Sequence, residues 1–285
     1  MITTPSAVPA WSQANLTFEQ FERIAGLITT VCGIVLTPAK CTMLESRLRR
    51  RLQANGLESF AAYVELLADP QRRAGELQAL IDAVTTNHTA FWREPAHFEF
   101  LQAGGLAALL PEIADRPLRA WSAACSSGEE PYTLAMVLAE ALPAVSERGF
   151  TILATDISTA MLQKAARAIY REKEVAPLPE RLKERHLLRE RDGSGLYRVR
   201  PELRRRVRLA QLNLTDRIWQ LGGPQDLILC RNVLIYFGQG TREQILRRLC
   251  QHLRPGGILC LGHADHILGC TLPLRMLRAN IYQRL

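Results

Sequence analysis

The sequence predicts an α/β protein, with a doubly wound, mostly parallel sheet preceded by an all-helical unit and interrupted by a small antiparallel β insertion. Three observations carry this. From Leu118 onward, short apolar runs alternate with amphipathic helical patterns, the order that builds parallel βαβ units. Before about residue 85, apolar residues recur only at helical spacing. Between Ala176 and Arg206 the alternation stops in a charge-rich stretch. There the turn Asp192-Gly193-Ser194-Gly195 precedes the alternating Leu196-Tyr197-Arg198-Val199-Arg200, a hairpin pattern.

Taken in order, Met1 to Asn15 is small, polar and proline-containing, and reads as a flexible tail. Thr17 with Gln20 forms a capping-box pattern ahead of Phe21, Ile24, Ile28 and Val31, so a first helix starts there. Helical patterns follow at Pro38–Asn55, Ser59–Leu67 and Arg73–Val84, broken at Gly33 and Gly56. Strands are expected at Leu118–Ala123, Thr151–Thr155, Val207–Gln211, Leu227–Cys230 and Ile258–Gly262, with a last hairpin within Arg275–Leu285. The intervening helices are expected at Pro131–Leu142, Ser158–Tyr170 and Thr241–His252, the last opening on a second capping box, Thr241 to Gln244. The organisation is therefore a tail at 1–15, a helical domain at 16–90, and an α/β domain at 91–285 with the insertion at about 176–206.

Of the 285 residues, 47% are hydrophobic and 22% charged, with only 18 glycines and 15 prolines, which excludes collagen-like and disordered chains. The net charge of +8 calls for an acidic partner. No apolar run approaches the roughly 18 residues a membrane span needs; the nearest, Leu134 to Val145, holds Glu140 and Pro143. The first residues lack the basic start and apolar stretch of a secretory signal, so a cytoplasmic location is expected. Seven cysteines without a C-x-x-C pair read as reduced thiols. Cys260, His263, His266 and Cys270 have a superficial metal-site spacing, but Cys260 falls inside an apolar strand, and no metal is expected.

In an open parallel sheet, ligands sit beyond the carboxyl ends of the strands, where strand order reverses. The first strand ends in Ala123-Ala124-Cys125-Ser126-Ser127-Gly128-Glu129-Glu130-Pro131, small residues that let backbone approach a ligand and then open a helix. The second ends at Asp156, where a carboxylate can accept from two ribose hydroxyls. The fourth ends in Cys230-Arg231-Asn232, with Tyr236 beyond, and the fifth in Gly262-His263-Ala264-Asp265. A ribose-bearing ligand fits these ends, although a tight strand–helix turn and an Asp that merely opens a helix would give the first two features as well.

Five segments, in this order, closely resemble the CheR family of chemotaxis receptor glutamate methyltransferases. They are Thr85–Glu94 (TTNHTAFWRE), Trp121–Tyr132 (WSAACSSGEEPY), Ala154–Ile157, Cys230–Phe237 (CRNVLIYF) and Gly262-His263, and the likeness runs from about Leu16 to Leu285. The resemblance implies a Rossmann-like class I methyltransferase sheet, the cofactor S-adenosyl-L-methionine with S-adenosyl-L-homocysteine as product, and methylation of glutamate carboxylates on the cytoplasmic helices of methyl-accepting chemoreceptors. It places Asn87, Thr89 and Arg93 against the cofactor and reaction centre, Glu130 at the methionyl end, Asp156 at the ribose, and Asn213 and Leu214 beside the adenine. Arg231, Asn232 and Tyr236 would close the pocket, and Arg93 and Tyr236 would handle the incoming carboxylate. Ala264-Asp265 stands where the family usually has Ser-Glu, and Trp92 where it has a second Phe.

A glutamate carboxyl with an ordinary pKa near 4.3 is already ionised at pH 7, so this chemistry needs alignment rather than a general base. Leu44, Leu48 and Leu52 form the apolar stripe of one helix, leaving Arg47, Arg50 and Arg51 on an outward face. That face is an ordinary solvated surface or, as the resemblance implies, the receptor-docking surface. In some family members the β insertion binds a receptor C-terminal peptide by strand addition, and Arg204, Arg205, Arg206 and Arg208 lie beside it. A monomer is expected. A non-catalytic cofactor-sensing or docking module is one alternative. Nucleic-acid methylation is another, since a basic chain suits phosphates. Against it, Arg231-Asn232-Val233-Leu234 replaces the Asn/Asp-Pro-Pro-Tyr of many nucleobase amino-methylating enzymes, so no nucleic-acid partner is expected.

Overall fold

The computed structural model describes residues 9–106, 109, 116–142, 149–190, 193–267, 269 and 271–285. The chain divides into two compact units, Met1–Thr86 and Asn87–Leu285. The division falls ahead of the expected 90/91 boundary and assigns Asn87 and Thr89 to the second unit.

The first unit is helical: α1 (Ala10–Gln13), α2 (Phe18–Cys32), α3 (Cys41–Ala54), α4 (Phe60–Ala68) and α5 (Pro70–Val84). The expected capping box opens α2, with Thr17 Oγ1 accepting from the Gln20 amide and the Gln20 side chain accepting from the Thr17 amide. Ser59 and Asp69 cap α4 and α5 with side-chain oxygens that accept from first-turn amides, without the reciprocal bond. Leu44, Leu48 and Leu52 of α3 are fully buried, each worth about 1.5–3 kcal/mol of burial.

Two expectations are corrected in this unit. The tail is not irregular throughout its described part, because α1 forms and the Ser12 carbonyl accepts from Arg49; Met1 to Val8 lie outside the described residues. The outward face of α3 is also not free. Arg51 reaches Glu76 through Nε at 2.7 Å and Nη2 at 2.6 Å, and Arg47 donates to the Val84 and Thr85 carbonyls at 2.8 Å each, capping the end of α5. Arg50 remains exposed.

The second unit begins with α6 (Ala96–Phe100), then β1 (Leu118–Ala123), α7 (Glu129–Ala141), β2 (Phe150–Asp156) and α8 (Thr159–Arg167). A subdomain follows: β3 (Ile169–Arg171), α9 (Glu172–Val175), α10 (Glu180–His186), β4 (Leu187–Arg189), β5 (Leu196–Val199) and α11 (Pro201–Arg204). The chain finishes with β6 (Val207–Gln211), β7 (Gln225–Cys230), α12 (Gln239–His252), β8 (Leu253–Leu261), β9 (Leu274–Arg278) and β10 (Ile281–Arg284). The main sheet has the order β6-β2-β1-β7-β8-β10-β9. Strands β6 to β8 pair in parallel, and the expected final hairpin adds β10 and β9 antiparallel.

The insertion is a three-stranded antiparallel sheet, β3-β5-β4, rather than a hairpin alone. Its first strand was expected as the tail of a helix. Helix α8 instead stops at Arg167 because Ala168 turns left-handed at φ 53°, and Ile169–Arg171 then pairs with β5. Three residues are too few to show alternation. The second expected capping box is also absent: α12 starts two residues before Thr241, at Gln239, with Gly238 as its N-cap.

Candidate active site

The strand order runs one way from β1 through β2 to β6 and the other way from β7 to β8, so the reversal lies between β1 and β7. The crevice beyond their carboxyl ends is the expected ligand position. The backbone there is unusual. Five of the seven non-glycine residues with positive φ among the described residues cluster around it: Trp92, Glu94, Ala124, Ser126 and Asn232. Such conformations cost about 1–3 kcal/mol each and persist only where surrounding contacts enforce them.

The loop after β1 is one such structure. Its Ser126 amide donates to Asp156 Oδ2 at 2.8 Å, and the Ser158 amide donates to Asp156 Oδ1 at 2.9 Å. The carboxylate at the end of β2 is thereby oriented by two amides. Gly128, at φ 96°, starts α7, and a Cβ there would lie 2.7 Å from the Tyr170 hydroxyl and 2.9 Å from Ala165 Cβ, so no other residue fits. Tyr170, in β3, donates to the Ser127 carbonyl at 2.8 Å and ties the subdomain to this loop. Glu129 and Glu130 occupy the first turn of α7, where the helix dipole favours negative charge.

The segment from Asn87 to Glu94 crosses the same rim. The Asn87 carbonyl accepts from Ser126 Oγ at 3.1 Å. Phe91 is buried with its ring edge-on to Tyr170 at 4.7 Å, and the Trp92 amide donates to Thr133 Oγ1 at 3.3 Å while its ring stacks on Phe98. These anchors hold the strained turn that presents Arg93, whose Nη1 donates to the His88 carbonyl at 2.7 Å.

Arg231 joins this turn to the sheet. Its side chain is only 2% exposed; Nη1 meets Glu130 Oε2 at 3.2 Å, and Nη2 meets Glu94 Oε2 at 3.3 Å and the Arg93 carbonyl. Its guanidinium also lies over the Phe98 ring at 5.3 Å. The resemblance has Arg231 close the pocket; in the structure its Nη donors go to protein acceptors, which fix Glu130 and the Arg93 turn. Ser122 Oγ holds the other Glu130 oxygen at 2.6 Å.

Asn232, left-handed at φ 57°, is gripped from two sides. Its amide donates to Asp265 Oδ2 at 2.5 Å, and its side-chain Nδ2 donates to Glu94 Oε1 at 2.9 Å. Gly262 also donates to Asp265, and a Cβ at 262 would fall 2.6 Å from the Asn232 nitrogen. Tyr236 closes the short 3-10 turn that follows, Leu234–Tyr236. At the end of β6, Asn213 Oδ1 accepts from the Thr215 amide and hydroxyl at 3.0 and 2.8 Å, and Leu214 is buried behind it.

The electrostatics follow from this packing. Burial raises the Glu130 pKa, an effect that Arg231 and the Ser122 hydrogen bond only partly offset, with Arg93 contributing in the same direction as Arg231. Burial would raise Glu94 as well, but the Asn232 hydrogen bond, Arg231 and the His263 amide outweigh it and lower its pKa. Burial raises Asp265 against the pull of the amides it accepts from. His97, buried beside Arg231, is pushed down to about 4 and stays neutral near pH 7.

The structure thus joins Arg93, Glu130, Arg231 and Asn232 in one network through Glu94 and Arg231, links Asn87 to Asp156 through Ser126, and places Thr89 on the crossing segment. It sets Asn213 and Leu214 at the neighbouring strand end. Sequence reasoning missed Glu94, Ser126 and Asp265 as site residues. Glu94 stands next to Arg93 in an aromatic run, but nothing in its spacing marks it as a hub. Cys260 is buried in β8 with its thiol pushed up to about 12, and Cys270 lies outside the described residues.

Comparison with known proteins decides the family. The model described as "CheR methyltransferase, SAM binding domain" matches residues 87–282, and that described as "CheR methyltransferase, all-alpha domain" matches 19–85. The chain belongs to the CheR methyltransferase family. A chemotaxis protein methyltransferase of Escherichia coli K12 is 43% identical over 250 residues, covering 86% of this chain and 84% of its own. That of Salmonella typhimurium is 42% identical over 266 residues, covering 92% and 88%. Chemotaxis protein methyltransferase 2 of Pseudomonas aeruginosa is 37% identical over 281 residues, covering 98% of each chain. As a CheR methyltransferase the chain uses S-adenosylmethionine, and its donor set fits that group: a carboxylate oriented by amides at the end of β2 for ribose hydroxyls, and a second at Glu130 for a cationic end. Among the described residues, no group of three or more His, Cys, Asp or Glu is placed to hold a metal ion, and no helix is long and apolar enough to cross a membrane.

Proposed function

We propose that this CheR methyltransferase transfers the methyl group of S-adenosylmethionine to glutamate side-chain carboxylates on the cytoplasmic helices of chemoreceptors, forming methyl esters in chemotactic adaptation. The observation that carries the glutamate reading is Arg93. It projects from a turn locked by Phe91, Trp92 and Glu94, and its charge acts on Glu130 across the site.

When bound, S-adenosylmethionine supplies an electrophilic methyl group on a cationic sulfur. Asp156 would hold the ribose, Glu130 the methionyl end, Asn213 and Leu214 the adenine, and Asn87, Thr89 and Asn232 would complete the enclosure. Arg93 offers a bidentate guanidinium to orient the incoming carboxylate, with the Tyr236 hydroxyl as a further donor. That carboxylate is already ionised, so the protein's task is alignment and exclusion of water, which can supply as much as about 7–11 kcal/mol of the barrier. Exposed Arg50, within a groove between α3 and α5 of about 530 Å³, is a docking point for acidic receptor helices. The outer strands of the small sheet, β3 and β4, suit a receptor C-terminal peptide added as a strand. The chain works as a monomer in the cytoplasm, where those helices lie.

Arg93→Ala tests the assignment. It should lower the rate of receptor methylation at least tenfold while changing donor affinity by less than threefold, measured by calorimetry. Equal losses in both would contradict it.

A further inference from the structure

Among the described charged groups around the crevice, Glu94 brings three separate pieces of the site together. One oxygen accepts from Asn232 Nδ2 at 2.9 Å and from the His263 amide at 3.3 Å, while the other meets Arg231 Nη2 at 3.3 Å. The segment that carries Arg93, the loop after β7 and the loop after β8 therefore converge on a single carboxylate. Glu94 is itself left-handed at φ 55°, one residue after Arg93 and two after the equally left-handed Trp92. Arg231 closes the loop by donating to the Arg93 carbonyl and to Glu130.

We infer that Glu94 is a positioning residue for methyl transfer: its carboxylate holds the Arg93 turn and the Asn232 side chain in their working geometry without touching either substrate. The inference rests on the proposed role of Arg93. An amide at this position can still accept from Asn232 and His263 with its oxygen, but it turns a donor toward Arg231, whose guanidinium also donates. The ion pair between Glu94 and Arg231 is then replaced by two facing donors, which shifts the Arg93 turn while the other bonds of the fold are left in place. A displacement of about 1 Å at a reacting group can cost on the order of a hundredfold in rate.

The test compares the full-length parent chain with Glu94→Gln, Asn232→Ala and the double variant. Receptor methylation kinetics are measured beside calorimetric binding of S-adenosylhomocysteine. Glu94→Gln should bind one S-adenosylhomocysteine per chain with affinity within threefold of the parent, while kcat falls about ten- to a hundredfold. The double variant should lose less than the product of the two single losses, because Glu94 acts partly through Asn232. A kcat within twofold of the parent overturns the inference. So do losses in binding and kcat of equal size, which mark a merely structural residue, or losses that multiply fully in the double variant. If Glu94→Gln does not fold, Glu94→Asp carries the same comparison with the same limits. No methyl transfer by the parent strikes down the proposed function and this inference together, whereas transfer by the parent that Glu94→Gln matches strikes down this inference alone.

Discussion

Glu130 shows how a single residue is tuned by its neighbours. It is held in a largely enclosed position, its side chain 12% exposed, by Ser122 and Arg231, and desolvation there raises its pKa despite them. If its negative charge holds the cationic end of the donor, lowering the pH through that raised pKa removes the charge earlier than an ordinary glutamate would lose it. Donor affinity should therefore weaken on the acid side, beginning above the usual glutamate range, and Glu130→Gln should bind weakly at every pH with this slope abolished. Calorimetric titrations across pH 5 to 8 check both. Asp156, Arg231 and Asn232 were legible in the sequence because polar residues directly after apolar strands face the rim by construction. Glu94 was not, nor was the grip of Asp265 on Asn232 although Asp265 stands at the fifth strand's end, because the partners come from segments far along the chain: Asn232 lies 138 residues from Glu94 and 33 from Asp265. No local pattern records such a contact.

At the scale of elements, α3 shows what an amphipathic pattern can and cannot reveal. The stripe Leu44, Leu48 and Leu52 was readable and is buried, yet the arginines opposite it divide into different tasks. Glu76 of α5 is buried and accepts from Arg51, from Asn55 at 3.0 Å and from the Tyr63 hydroxyl at 2.7 Å. Burial alone would raise its pKa, but these hydrogen bonds and the Arg51 charge lower it. The stability it contributes is therefore complete above the ordinary glutamate pKa and is lost as pH falls through the lowered folded value. Glu76→Gln should cost about 3 kcal/mol near neutral pH in urea denaturation and flatten the acid limb of stability below the ordinary glutamate pKa. Arg50→Glu should instead leave stability and donor binding unchanged while raising the KM for receptor. Arg51→Glu, by contrast, should destabilise the fold, since it sets two carboxylates together.

For the whole molecule, the five parallel strands, the final hairpin and the helical first unit were all readable, because each is long enough to show its period. The subdomain was only half readable. Its turn and its strand Leu196–Val199 announce themselves, while Ile169–Arg171 becomes a strand only through pairing with Leu196–Arg198. The +8 charge is partly internal, because Arg47, Arg51 and Arg231 serve the fold or the site. What remains outward, Arg50 among it, suits an acidic receptor surface. The most direct measurement incubates the chain with methyl-labelled S-adenosylmethionine and receptor cytoplasmic fragments, then treats the labelled product with mild base. The account predicts label on the receptor that base releases as methanol, and that replacing the methyl-accepting glutamates by alanine abolishes it. Label that survives base, or that appears on nucleic acid and not on receptor, would contradict it.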